Sequence, residues 1–203
     1  TVTLMEIEAP FVAHRAKPGQ FIILRVDANG ERVPFTIADI NKEKRSISII
    51  FQIVGAATEA LNHLNIGDSI HDVVGPLGKP SELDGLHKVA VIGGGVGCAI
   101  AYPTAKALHE KGAEVHSIVG FRNKDLVILE DEFKSVSNKL IIMTDDGSYG
   151  TKGLVTDALK ELLDSGQKYD EVIAIGPLIM MKFVAKLTKD YGVKTIVSMN
   201  PIM

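Results

Sequence analysis

The stretch from Lys88 to Thr104, KVAVIGGGVGCAIAYPT, constrains this chain more than any other. Val89, Ala90, Val91 and Ile92 form an uninterrupted apolar run, as a strand buried on both faces requires. The run opens through Gly93, Gly94, Gly95 and Gly97 toward a helical pattern. A parallel strand that passes through glycines into a helix suits a nucleotide phosphate. Glycines let the backbone approach the phosphate, and the helix start supplies free N–H groups and a positive dipole end. The match to G-x-G-x-x-[G/A] is loose, because Cys98 holds the third small position. Proline suits a first helical turn better than an interior, so Pro103 places the expected helix start near Ile100. No acidic residue closes the next strand, where Glu114–Gly120 runs into Phe121, Arg122 and Asn123. The competing reading is a tight packing turn between strand and helix.

Length allows two modest domains in 203 residues. A net charge of −3 without a basic run gives no reason to expect nucleic acid or an anionic membrane surface. The apolar runs are strand-sized, so no membrane span is expected. One cysteine allows neither an internal disulfide nor a four-thiolate cluster within this chain, which points to a reducing, cytoplasmic setting without a signal peptide. The six histidines are scattered, and no metal site is expected. The chain starts at Thr1 and stops inside the apolar run SMNPIM, so both ends are expected to be trimmed.

Residues 1–85 read as strands and turns: TVTLMEIE, GQFIILRV after the Lys17-Pro18-Gly19 turn, RSISIIFQIV, and SIHDVVGPLG. Thr58–Leu64 makes one or two helical turns. Short strands at this spacing imply a small antiparallel β-barrel. KPSELDG, 79–85, is the only plausible linker. From residue 86 to 203 the rhythm is strand–helix alternation. Strands are expected at Lys88–Ile92, Glu114–Gly120, Lys139–Thr144, Glu171–Ile175 and Lys194–Ser198, and helices at Ile100–Lys111, Leu129–Ser135, Leu154–Leu163 and Ile179–Tyr191. This pattern is a doubly wound parallel sheet, whose ligands sit at the strand C-terminal ends. Those ends carry Gly93–Gly97, Phe121-Arg122, Asp145–Tyr149 and Gly176-Pro177.

The barrel half holds ERVPFTIAD, where Arg32, Pro34, Phe35 and Thr36 bring a cation, an aromatic ring and a hydroxyl together after a strand. Arginine can clamp a pyrophosphate, and a threonine hydroxyl can bond a ring nitrogen or carbonyl. Gly55-Ala56-Ala57-Thr58 precedes a helical turn, a second potential phosphate cradle. The plain alternatives are a surface arginine, a core phenylalanine and an ordinary threonine cap.

A strand-rich first half with R-x-P-F-T, Gly-x-x-Thr and GPLG, followed by a glycine-rich nucleotide half, resembles the ferredoxin–NADP reductase superfamily. GGGVGCAIAYPTAKAL, FRNKDLVILEDEF, TDDGSYGTKGLVTDAL and IGPLIMMKFV are similar to one branch of it. That branch is the small subunit of NADH-dependent ferredoxin:NADP oxidoreductase, also known as sulfide dehydrogenase or dihydroorotate dehydrogenase electron-transfer subunit. The resemblance covers essentially the whole chain, and TDDGSYGTKG and IVSMNPIM are its most specific pieces.

The resemblance implies an FAD-binding antiparallel barrel (1–85), an α/β pyridine-nucleotide domain (86–203), and a cysteine-bearing tail with one [2Fe–2S] cluster. It implies that Arg32 meets the FAD phosphates, and that Phe35 and Thr36, with Pro34 in the same motif, line the isoalloxazine. Gly55 and Thr58 would hold the pyrophosphate. Gly94, Gly95 and Gly97 would face NAD(H), and Asp145, Asp146 and Gly147 would border the nicotinamide end beside Gly176 and Pro177. Three departures stand out: Arg32 lies four residues before Thr36 rather than three, Ala57 replaces a frequent glycine, and the cluster cysteines are absent because the chain stops about where that tail begins. The implied activity is hydride transfer between NAD(H) and FAD, with electrons relayed through the missing cluster to a larger flavin and iron–sulfur subunit. That chemistry needs no catalytic acid or base, in line with the lack of a paired-carboxylate or His/Asp constellation. A stand-alone flavin or ferredoxin reductase and a non-catalytic nucleotide sensor are the alternatives. A methyltransferase is disfavoured by the barrel half. Arg122 either reads a 2′-phosphate or pairs on the surface with Asp125 or Glu130, and the resemblance favours the surface pairing. Cys98 is read as a small residue filling a turn rather than a redox thiol.

Overall fold

A computed structural model describes residues 2–199, so the last four residues of IVSMNPIM lie outside it. Twelve strands and six α-helices are described, in two units, one ending at Glu82 and the other beginning at Leu83. The first unit is built from two three-stranded antiparallel sheets. One has the order β1 (Val2–Glu8), β5 (Ser46–Gln52), β4 (Asp39–Asn41). The other has the order β3 (Val33–Thr36), β2 (Phe21–Arg25), β6 (Asp72–Leu77). Alternation decides the inward faces: Ile22 and Leu24 of β2, and Ile47, Ile49 and Phe51 of β5, all enter one core with Leu61. β3 and β4 are one run of chain that changes sheets. Ile37 N–H donates to Gln20 at 3.1 Å, and Ala38 N–H donates to Ser48 at 2.8 Å on the other sheet. Such a corner closes two sheets toward a barrel.

A short helix, α1 (Pro10–Arg15), follows β1 and was not expected from the sequence. Its signals are Pro10 at the first helical position and His14 and Arg15 in the last turn. The second helix, α2 (Ala56–Asn62), occupies the expected place after Gly55.

In the second unit, six parallel strands lie in the order β10, β9, β8, β7, β11, β12, with β7 at Lys88–Gly94, β8 at Glu114–Phe121, β9 at Lys139–Thr144, β10 at Thr151–Lys152, β11 at Glu171–Ile175 and β12 at Thr195–Val197. The apolar run of β7 splits by strand period. Val89 and Val91 join the core under α3 (Gly97–Glu110) and α4 (Glu130–Val136). Ala90 and Ile92 join the one under α5 (Val155–Asp164) and α6 (Leu178–Asp190). All four are fully buried, which is why no polar residue interrupts the run. Among the described residues, no helix is long and apolar enough to cross a membrane.

The sequence-based helix start near Ile100 is corrected. The helix α3 begins at Gly97, and Pro103 lies inside it. Gly95 alone makes the turn, with φ +55°, and Cys98 and Ala99 N–H donate three residues back, at 3.1 and 3.0 Å, to tighten the first turn. Pro103 removes one interior hydrogen bond, a loss of about 3 kcal/mol in an exposed helix. Burial of Cys98, Ala101, Ala105 and Leu108 against the sheet outweighs that loss.

The other end of the sheet carries a polar cluster. Lys88 Nζ is 2.8 Å from Glu114, whose same oxygen is 2.9 Å from His116 Nε2. His116 Nδ1 lies 2.8 Å from the Tyr169 hydroxyl. Burial pushes the His116 imidazole pKa down and the Tyr169 phenol up to about 12. Asp170 accepts the His87 and Lys88 N–H groups at 2.7 and 2.9 Å, and these bonds lower its pKa.

Candidate functional site

The strand order reverses between β7 and β11, because β8 and β9 extend the sheet on one side and β11 and β12 on the other. Ligands of open α/β sheets bind in the crevice that such a switch point leaves at the strand C-terminal ends. Here that crevice is flanked by Gly94–Gly97 and Gly176-Pro177. A Cβ on Gly97 would stand 2.6 Å from Gly176 Cα and from the Ile175 carbonyl, and one on Gly176 would stand 3.1 Å from Gly94 Cα. These glycines hold two loops at backbone contact. Met180 Sδ would lie 2.5 Å from a Cβ on Gly94, so this methionine packs at the switch point, while Met181 is buried in the core. Gly95 differs: nothing lies within 4 Å of its added Cβ. Gly95 thus faces open space, while Gly94, Gly97 and Gly176 pack the turn.

Asp145, Asp146 and Gly147 follow β9 on the same edge. The family resemblance implies a place for them at the nicotinamide end, beside Gly176 and Pro177. Three strand spacings, roughly 14 Å, separate the ends of β9 and β11. The loop is held by its own bonds. Asp146 Oδ1 accepts Ser148 N–H at 2.9 Å and Ser148 Oγ at 2.6 Å, which lowers the pKa of its carboxyl. The fully buried Thr144 donates its hydroxyl to the Tyr149 carbonyl at 2.6 Å. Gly147 takes the left-handed conformation, φ +78°. Both Asp145 and Asp146 are exposed. Between these regions, Asn123 at the end of β8 buries its Oδ1 with no hydrogen-bond partner. An orphaned acceptor there suits a hydroxyl or amine donor of a bound nucleotide. Sequence reasoning noted Asn123 only as non-acidic, since the orphan atom is visible only in three dimensions. Arg122 is exposed, and Glu130 accepts the Tyr149 hydroxyl at 2.9 Å instead of pairing with it. Burial pushes the Cys98 thiol well above its ordinary pKa, which opposes a redox role.

In the first unit, strand period divides the R-x-P-F-T motif. Phe35 turns into the core, with its ring 5.8 Å edge-on from Phe51. Arg32, Pro34 and Thr36 fall on the opposite, accessible side of the run. Phe35 is thus part of the core of this unit. Arg32 is 60% exposed at its side chain and lies 3.4 Å from Asp72, which already binds Arg25 at 2.7 Å. An exposed pair of this kind is worth about 0–1 kcal/mol, so Arg32 can leave it for a phosphate at little cost.

Gly55 has open space where a Cβ would stand. The Thr58 hydroxyl accepts Val54 and Gly55 N–H at 3.0 and 3.1 Å and donates to the Gly55 carbonyl at 2.9 Å. These bonds shape the Gly55 turn. Thr58→Ala should lower unfolding free energy by about 1–2 kcal/mol, with Thr58→Ser recovering most of it, in thermal melts followed by circular dichroism. Equal stability in all three proteins would mean that these bonds carry no weight.

The switch-point crevice and the accessible β3–Gly55 side therefore fit anionic, hydroxyl-bearing cofactors. No group of three His, Cys, Asp or Glu among the described residues could hold a metal, and buried Cys98 stands alone, so nothing here fits an iron–sulfur cluster.

Residues 91–186 match the oxidoreductase NAD-binding domain family. An uncharacterized protein in the adh 3′ region of Clostridium beijerinckii is 51% identical, over 98% of this chain and 70% of that protein. A homolog of the electron transfer subunit of dihydroorotate dehydrogenase B (NAD(+)) from Thermotoga maritima is 46% identical, over 97% of this chain and 69% of its own length. Among solved structures, an NADH-dependent reduced ferredoxin-NADP oxidoreductase, studied for flavin-based electron bifurcation, superposes with a TM-score of 0.91 at 44% identity. The match covers 100% of this chain and 72% of that one.

Proposed function

The chain belongs to the family of dihydroorotate dehydrogenase B electron transfer subunits, with a nucleotide domain of the ferredoxin reductase type, and on that premise we propose that it is the NADH-oxidising FAD subunit of a larger enzyme. The observation that carries this reading is the switch-point crevice, in which Gly94, Gly97 and Gly176 hold two loops at backbone contact while Gly95 faces open space. Gly95 receives the pyrophosphate of NADH, and Pro177 and Met180 flank its nicotinamide. The adenosine end runs along the sheet edge toward Asn123 and the Asp145–Gly147 loop. Arg32 leaves Asp72 to bind the FAD phosphates. Thr36 offers its hydroxyl to the ring, Pro34 packs on the same side, and Thr58 fixes the Gly55 turn. Bound FAD supplies an acceptor that takes two electrons together and releases them singly. The protein contributes orientation, which needs no acid or base.

Arg122 and Asn123, which directly follow β8, offer no carboxylate to a ribose 2′-hydroxyl, so the expected preference for NADH rests on kinship with NADH-dependent relatives. The test is anaerobic stopped-flow spectroscopy of the FAD-loaded protein with each nucleotide. NADH should bleach the flavin absorbance faster than NADPH. A protein that takes up no FAD, or whose FAD is not reduced by either nucleotide, would overturn the proposal, and a clear NADPH preference abolished by Arg122→Ala would reverse the nucleotide assignment.

A further inference from the structure

A groove of about 400 Å³ opens on the first unit between α1 and the turn that joins β4 to β5. It is lined by Pro10, Phe11, Ala13, His14, Arg15, Lys42 and Arg45. Helix α1 turns Val12 and Ala13 into the core, which leaves Phe11, His14 and Arg15 outward. Phe11 is 79% exposed and lines the groove beside the cations Arg15, Lys42 and Arg45. Arg15, Lys42 and Arg45 make no ion pair or side-chain hydrogen bond among the described residues. The nearby Glu6 is already engaged by Lys44 and Ser46. Glu43, between Lys42 and Lys44 in sequence, does not line the groove. A chain of net charge −3 thus gathers unpaired cations around one exposed aromatic ring.

The walls are fixed to each other. Arg45 holds a left-handed backbone, φ +55°, which is costly for a residue with a side chain. Its carbonyl accepts the Ala9 N–H at 3.1 Å, tying the turn to the start of α1. Helix-dipole stabilisation accounts for His14 and Arg15 in the last turn of α1 but not for Lys42 and Arg45. All four basic side chains are exposed and spread over two elements. A small-anion site would instead converge buried polar groups on one point. A membrane-surface helix would present a broad apolar face, whereas α1 offers solvent one aromatic residue.

We propose that this groove docks an acidic segment of the larger partner subunit, with an apolar side chain of that segment seated on Phe11. Arginine and aromatic residues are the side chains most enriched where protein interfaces concentrate their binding energy. Exposed cations also steer an oppositely charged partner during encounter. This inference rests on the reading of the chain as one subunit of a larger enzyme.

The test uses the full-length protein and its larger subunit, purified separately. Association is measured by surface plasmon resonance at low and high salt, and NADH-to-dye turnover is measured on the same samples. The double variant Arg15→Glu, Lys42→Glu should weaken association at least tenfold at low salt and flatten its salt dependence. Phe11→Ser should weaken association at both salt concentrations. Both variants should retain wild-type NADH-to-dye turnover, which separates docking from the flavin reading. Wild-type affinity in both variants would overturn the proposal. So would a wild-type protein that turns over NADH yet does not associate with the larger subunit. Competition of the wild-type complex by inorganic pyrophosphate, or charge-dependent binding to phosphatidylserine vesicles with unchanged subunit affinity, would reassign the groove and likewise overturn it.

Discussion

Gly97→Ala should be the most damaging small substitution in the second unit. The new methyl would meet Gly176 Cα and the Ile175 carbonyl at 2.6 Å and Gly176 N at 2.9 Å, all backbone atoms at the end of a central strand. Backbone at this place cannot swing aside as a side chain can. Overpacking costs about 1–3 kcal/mol, and the upper end applies here. For a chain of this size that is a fall of roughly 6–12 °C in Tm. The switch-point loops must also part, and misplacement of about 1 Å at a reacting centre can cost on the order of a hundredfold in rate. NADH reduction of bound flavin should therefore fall by about two orders of magnitude. Gly94→Ala supplies the contrast, since its closest clash is with the flexible Met180 thioether at 2.5 Å. It should cost less, and Met180→Ala should relieve part of that cost. Melting curves and stopped-flow traces decide the matter. A Gly97→Ala protein with wild-type Tm and reduction rate would mean that the loops do not meet as described.

The second large effect should come from Thr144→Val, a change of nearly equal volume that removes one hydroxyl. That hydroxyl donates to the Tyr149 carbonyl at 2.6 Å and accepts Tyr149 N–H at 3.3 Å in a fully buried position. Valine leaves both backbone groups without their partner, a loss of about 2–3 kcal/mol. The Asp145–Tyr149 loop would lose its inner anchor while keeping the Asp146–Ser148 bonds and the Tyr149–Glu130 bond. Hydrogen exchange at residues 145–150 should accelerate, and the Kd for NADH should rise about tenfold, the equivalent of roughly 1.4 kcal/mol. Unchanged exchange in that loop would show that its outer bonds suffice. Unchanged affinity with faster exchange would remove the loop from the nucleotide site.

Patterns with a short period were readable along the chain, and relations between distant segments were not. The fully apolar run at Val89–Ile92 foretold a strand buried on both faces, because only helices above and below remove the need for alternation. Lys139–Thr144 and Glu171–Ile175 were bounded correctly, and the latter is buried on both faces in the same way. Helix α1 was missed since its six residues bury only Val12 and Ala13, too few to show a period. Pro103 misled because a local preference was set against packing that no local rule contains. The neighbourhood of Asp145 and Gly176 depended on strand order, which is decided by which side of β7 each later strand joins. Phe35 and Thr58 were recognised as part of meaningful motifs, but the direction of a ring and the bonds of a hydroxyl belong to tertiary structure.

The cluster of Lys88, Glu114, His116, Tyr169 and Asp170 has a consequence for how this half of the molecule can change over time. It grips the strands where they enter the sheet, while the glycines and the Asp145 loop lie where they leave it. A strand of seven residues such as β7 puts about 20 Å between those two places, well over a Debye length in physiological salt. Replacements in the cluster can therefore raise or lower thermal tolerance with little electrostatic effect on the crevice.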